Sequence, residues 1–381
     1  MAEQAPRLRW SRKKRVLVWG GSVLAILLAA AGVLYRLAMP GLRFLQRIAD
    51  SSPQALDAGG PLRVTEARVR CGERDVPLRV YQPAGEHERA VVLVHGLHYG
   101  GYDEERLVPF ARKLAGMGFA VVTPDLVDLK EYAISPRSVD EIERVALWTL
   151  DESGLGSGDD GRIGMMGICF AGGLGLAAAG RPSLRDRMAF AFAFGAHADL
   201  DRTMDYLCTG RLPDGKELKP HPYSQAAILS QTADRLVPPE EAKAFREAAL
   251  EYLHGKDAEA RAHVGLLGPR AKELLTRCMD GDTLWVGAQL APAILGTPSP
   301  DALSPARGAP PNCTVYVLHG SVDNVVPPSE SRRLAEWASS GGGAVVLISD
   351  LVSHVELEQG KETRWGDTWD LARFWTRLLR S

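Results

Sequence analysis

Beyond residue 60 the chain alternates short apolar runs with longer stretches of helical periodicity. Two β-branched segments, 63–69 and 76–81, predict an antiparallel opening pair. The fully apolar Val91-Val92-Leu93-Val94 follows, then a helical pattern over 104–117, a strand over 120–122, a helix over 139–150 and a strand over 162–166. Strands without polar alternation, separated by helices of ten or more residues, predict a mostly parallel sheet with helices on both faces, an α/β fold. A further strand is expected over 188–194, yet the next comes only at 314–318, with helical patterns over 240–252 and 270–278 between them. An insertion therefore interrupts the sheet. A strand over 345–348 and an amphipathic helix over 365–379 close the pattern.

One apolar stretch stands apart. Residues 16–35 carry no ionisable side chain except Tyr35, and six basic residues (Arg7, Arg9, Arg12, Lys13, Lys14, Arg15) precede them. Twenty helical residues reach about 30 Å, the thickness of a bilayer's hydrocarbon core. The expectation is a single-pass anchor with its N-terminus cytoplasmic and the large domain extracytoplasmic, in preference to a cleaved signal whose apolar region would be shorter. The predicted segments are a basic tail 1–15, the transmembrane anchor 16–35, a linker 36–60, core 61–197, a helical cap insertion 198–311 and core 312–381.

Composition removes some function classes. Lys plus Arg (45) and Asp plus Glu (47) nearly cancel across 381 residues, leaving a net charge of -2 and no field that would gather nucleic acid. Five scattered cysteines (71, 169, 208, 278, 313) supply neither a disulfide scaffold nor a C-x-x-C metal site, although Cys208 and Cys278 could bridge the insertion. No G-x-G-x-x-G follows the first parallel strand and no phosphate-loop or H-E-x-x-H motif occurs, so neither a metal nor a cofactor is implied.

The informative stretch is Gly164-Met165-Met166-Gly167-Ile168-Cys169-Phe170-Ala171-Gly172-Gly173, where a strand meets a small-residue helix start. A nucleophile on such a turn needs strained backbone angles and small residues two before and two after it, here Gly167 and Ala171. The partial positive charge of a helix N-terminus favours a thiolate at that place. A cysteine that merely packs in the core is the competing reading.

Gly-x-Cys-x-Ala-Gly-Gly after a strand resembles the dienelactone hydrolase branch of the α/β-hydrolase family, in which cysteine stands where most relatives carry serine. The resemblance runs from about residue 63 to 379, outside the anchor and the insertion. It implies a Cys-His-Asp triad in the order nucleophile, acid, histidine. The segment Tyr316-Val317-Leu318-His319-Gly320-Ser321-Val322-Asp323 resembles the family's strand and turn before the acid, making Asp323 that residue; capping of the next helix is its alternative role. His354, in the loop between the last strand and the final helix, takes the place of the general base, and Asp350 ranks below Asp323 because it shares that loop. Backbone N–H groups of Leu97 and Phe170 would form the oxyanion hole, and His98, Tyr99 and Tyr102 are candidates to bind substrate. Segment 288–295 is apolar enough to line an acyl pocket, lie on a bilayer or fill the cap's own core. The implied activity is cleavage of an ester, lactone or thioester, small or lipid-like, through a thioacyl intermediate. Acyl transfer on the same machinery and a silent, membrane-tethered binding protein are the alternatives.

Overall fold

A computed structural model describes residues 12–50, 52, 60–85, 87, 89–155, 160–353 and 365–381. Among them eight strands form one sheet: β1 (Leu62–Cys71), β2 (Arg74–Pro83), β3 (Arg89–Val94), β4 (Phe119–Pro124), β5 (Ile163–Ile168), β6 (Met188–Phe194), β7 (Thr314–Gly320) and β8 (Ala344–Ser349). Their spatial order is β1-β2-β4-β3-β5-β6-β7-β8. β2 pairs antiparallel with β1 and β4, and every later pairing is parallel. The chain leaves β3 toward β4 on one side and returns to β5 on the other, so the loops after β3 and β5 part at a topological switch point, where open α/β sheets bind ligands.

The period of two along each strand splits the core. Val92, Val94, Ala120, Val122, Met165, Val315 and Val317 face helices Pro136–Asp151, Phe170–Ala179 and Ser329–Ala338 in one cluster. Val91, Leu93, Val121, Met166, Tyr316 and Leu318 join helices Leu107–Ala115 and Trp365–Leu379 in the other.

The N-terminal segment differs from its expectation. Residues 36–49, expected within a linker, continue the helix Arg12–Ala49 and pack on the body. Ala38 and Phe44 are buried, and the Phe44 ring meets Trp375 at 4.7 Å between centroids. Pro40 lies inside this helix; beside it the Gly41 N–H finds the Thr376 hydroxyl at 2.8 Å, and a Cβ at Gly41 would collide with the Ala372 carbonyl. Contact with the C-terminal helix thus carries the helix across the proline. No single helix among the described residues is long and apolar enough to cross a membrane; the segments Leu27–Val33 and Tyr35–Ala49 satisfy that test only together, bent by 42°.

Between β6 and β7 the insertion carries seven helices among the described residues, from Leu200–Thr209 to Thr283–Ile294. Its two ends are clasped side by side. The Ala306 N–H donates to the Ala198 carbonyl at 3.0 Å. Arg307 holds the Asp199 carboxylate at 3.0 and 3.1 Å, and buried Glu330 accepts the N–H groups of Ala198 and Asp199 at 3.0 and 3.1 Å. None of the five cysteines forms a disulfide, so Cys208 and Cys278 do not bridge this insertion. Cys278 packs instead with its sulfur 3.5 Å from the Pro222 carbonyl.

Candidate active site

Cys169 joins β5 to the helix Phe170–Ala179 at φ 58 and ψ -136, one of two non-glycine residues with positive φ among those described. Such a conformation costs on the order of 1–3 kcal/mol and persists only where its surroundings enforce it. Here the Cys169 N–H donates to the Phe194 carbonyl at 2.8 Å and its carbonyl accepts from the Gly172 N–H at 2.9 Å. The small residues make room for that turn. A Cβ at Gly167 would strike the Ala171 carbonyl, one at Gly172 would lie 2.8 Å from the Ala196 methyl, and one at Gly173 would enter the His197 ring. Cys169 stands at the sheet's C-terminal edge and lines a cavity of about 590 Å³.

The loop after β3 passes directly beside it: a Cβ on Gly96 would be 3.4 Å from that of Cys169. His95 anchors this loop. It is fully buried, with Nδ1 2.7 Å from the Gly96 carbonyl and Nε2 accepting the Leu126 N–H at 3.1 Å. Burial pushes its pKa down to about 4, so the ring is neutral and structural. Leu97 lines the cavity, and its carbonyl accepts the Tyr223 hydroxyl at 2.9 Å. Phe170 also lines the cavity and is the first residue of its helix, where backbone N–H groups have no intrahelical acceptor.

Asp323 lies three residues past the end of β7 and is buried. Its Oδ1 accepts the N–H groups of Val325 and Val326 at 2.9 and 3.0 Å, and its Oδ2 sits 3.2 Å from Nε2 of buried His319. His319 is fixed in turn, with Nδ1 2.6 Å from the Ser331 hydroxyl and Nε2 2.8 Å from the Val326 carbonyl. The helix after this turn starts at Ser329 with Pro328 before it, so Asp323 organises the turn and does not cap that helix. Val325, held by Asp323, reaches the cavity wall. Carbonyls of Val352 and Ser353 pack on Gly320, where a Cβ would approach each to 2.7 Å. His354, next in sequence, lies outside the described residues. Asp350 bonds the Ser321 hydroxyl on the exposed side of that turn.

The substrate-binding candidates lie elsewhere in the loop after β3, and none is part of the cavity wall. Tyr99 stacks between His98 and His254, at 4.5 and 4.3 Å between centroids. Tyr102 sits beneath the Arg79 guanidinium at 4.3 Å. Beside Leu97, Cys169, Phe170 and Val325, the wall comes from the insertion and from Tyr132 and Ile134, which the sequence did not single out. Tyr223 and Tyr132 meet with ring centroids 6.0 Å apart, and burial raises the pKa of both phenols, keeping them neutral donors. Tyr132 also holds positive φ, at 60. No signal short of the folded cap marks these residues. Among the described residues no group of three His, Cys, Asp or Glu side chains is arranged to hold a metal ion.

No protein-family model matches the sequence, and no curated protein matches it. Among solved structures, one described as DphMB1 is 19% identical, with a TM-score of 0.48 over 87% of this chain and 92% of its own. An esterase of Pyrobaculum calidifontis is 16% identical, with a TM-score of 0.49 over 92% of this chain and 93% of its own. A Pyrococcus furiosus esterase is 11% identical, with a TM-score of 0.46 over 86% of this chain and 96% of its own.

Proposed function

We propose that the protein is an α/β-hydrolase that cleaves a carboxylic ester, lactone or thioester with Cys169 as nucleophile, Asp323 as acid and His354 as general base. The observation that carries the reading is the strained turn at Cys169, enforced by Gly167 and Gly172, with Cys169 in the wall of a cavity of about 590 Å³. A core cysteine that only packs requires neither positive φ nor access to a cavity. The strand order, with the turn at its switch point, supports the same reading.

In the proposed reaction the Cys169 thiol passes its proton to His354, the sulfur attacks the substrate carbonyl, and backbone N–H groups of Leu97 and Phe170 stabilise the developing oxyanion. Collapse breaks the bond to the leaving oxygen or sulfur, which takes a proton from His354, and leaves a thioester on Cys169. Water, surrendering a proton to His354, attacks that thioester and releases the acid. Asp323 orients the imidazole and stabilises its charged form. Segment 16–35 is proposed to tether the enzyme to a membrane with the N-terminus cytoplasmic, on the basis of its uncharged length and the basic residues before it.

The test is hydrolysis of chromogenic acyl esters by the full-length protein beside Cys169→Ala. Loss of turnover in the variant, with a trapped acyl adduct on the wild-type thiol, is expected. Equal rates in both would overturn the assignment.

A further inference from the structure

Resting on that reading of Cys169, we propose that the cavity is an acyl-chain site and that the substrate is an ester or thioester of an extended, apolar acyl group. Its wall is built by Ile134 of the core with Met204, Leu207, Ile228, Ile294 and Leu303 of the insertion. At about 590 Å³ it is far larger than an acetyl or propionyl group needs and falls in the range that encloses whole small ligands. A site this apolar gains by filling.

The polar groups in the wall argue against a sugar or peptide. The Asp201 carboxylate is held by Arg307 at 2.6 Å and by the Ser299 N–H at 2.9 Å. Gln231 donates to the Glu131 carbonyl at 2.7 Å, the Thr232 hydroxyl to the Ile228 carbonyl at 2.7 Å, and Arg235 to the Ala293 carbonyl at 3.0 Å. The Tyr223 hydroxyl is engaged by Leu97. Ser224 and Ser299 are the exceptions: both line the cavity, and their buried hydroxyls have no hydrogen-bond partner among the described residues. Two free hydroxyls in a largely apolar wall suit a ligand with one oxygen-bearing end and a hydrocarbon body, because unmatched polar groups on a richer ligand would lose their water without replacement.

The experiment measures kcat/KM of the full-length protein on p-nitrophenyl esters from acetyl to dodecanoyl. Alongside it, a dansyl-undecanoic acid probe is bound to Cys169→Ala and displaced by fatty acids of the same lengths. Each added methylene is worth roughly fourfold until the cavity is full. The expected result is a rise of at least a hundredfold from acetyl to the optimum, with fatty-acid affinity following the same order. Ile228→Trp, and independently Met204→Trp, narrows the wall and lowers the decanoyl-to-butanoyl ratio at least tenfold. A flat profile, or ratios unmoved in both folded variants, overturns the acyl site. Should Cys169→Ala still hydrolyse esters while probe binding tracks chain length, the nucleophile fails and the acyl site stands.

Discussion

The Tyr223 hydroxyl donates to the Leu97 carbonyl at 2.9 Å, so the insertion grips the loop that also supplies a proposed oxyanion donor. Tyr223→Phe would leave that carbonyl without its donor, a loss of about 1–3 kcal/mol if it stays dry. The expected outcome in steady-state kinetics is a kcat lowered by about tenfold with KM little changed, since a loosened oxyanion site weakens the transition state more than the ground state. A KM effect alone would make Tyr223 a wall residue and nothing more.

Asp323→Asn retains an oxygen for the Val325 and Val326 N–H groups while removing the charge. The fold should survive, with a thermal midpoint close to wild type. Turnover of an ester should fall by roughly 10²–10⁴-fold, the range for a triad acid that no longer holds the correct imidazole tautomer. Undiminished turnover would return Asp323 to a purely structural role beside His319.

His95 makes stability depend on pH. Its pKa is about 4 in the folded protein, against 6.5 for the free side chain, because burial opposes the charged ring. The unfolded chain therefore binds the proton first. The contribution is fully present above pH 6.5, is lost as pH falls toward 4, and changes no further below that. It amounts to roughly 3 kcal/mol. Urea midpoints measured across this window should fall with acid, and His95→Gln should flatten the slope by one proton.

Gly41→Ala places a methyl against the Ala372 carbonyl where there is no space. The helix 36–49 should lift from the C-terminal helix. Trypsin cleavage after Arg43 or Arg47 is expected to accelerate by at least tenfold, and a cleavage rate equal to wild type would show that the contact is dispensable.

The sheet was legible because its strands are uninterrupted apolar runs: β6 and the helix Trp365–Leu379 occupy the expected residues. The turn at Cys169 was legible for a different reason, since its demands for small residues act within a few positions. The cavity was not. Its wall gathers residues from Leu97 to Val325 across helices that carry no motif, and their convergence depends on how the insertion folds back. Tyr99 and Tyr102 were singled out for nearness in sequence to Leu97, but stacking on His254 and contact with Arg79 draw them elsewhere. Residues 36–49 were placed in a linker because what holds them as a helix is a contact with Thr376, more than 300 positions away.

The clasp of Ala198 with Ala306, backed by Asp199, Arg307 and Glu330, makes the insertion a detachable module on a narrow stem. Whatever lies between those two residues must only begin and end at neighbouring points, and the entropy of closing such a loop grows only logarithmically with its length. Replacement, lengthening or pruning of the segment leaves the register of β6 and β7 untouched. A lineage could therefore exchange the walls of the cavity by recombination at that stem, keeping the Cys169 turn as inherited hardware.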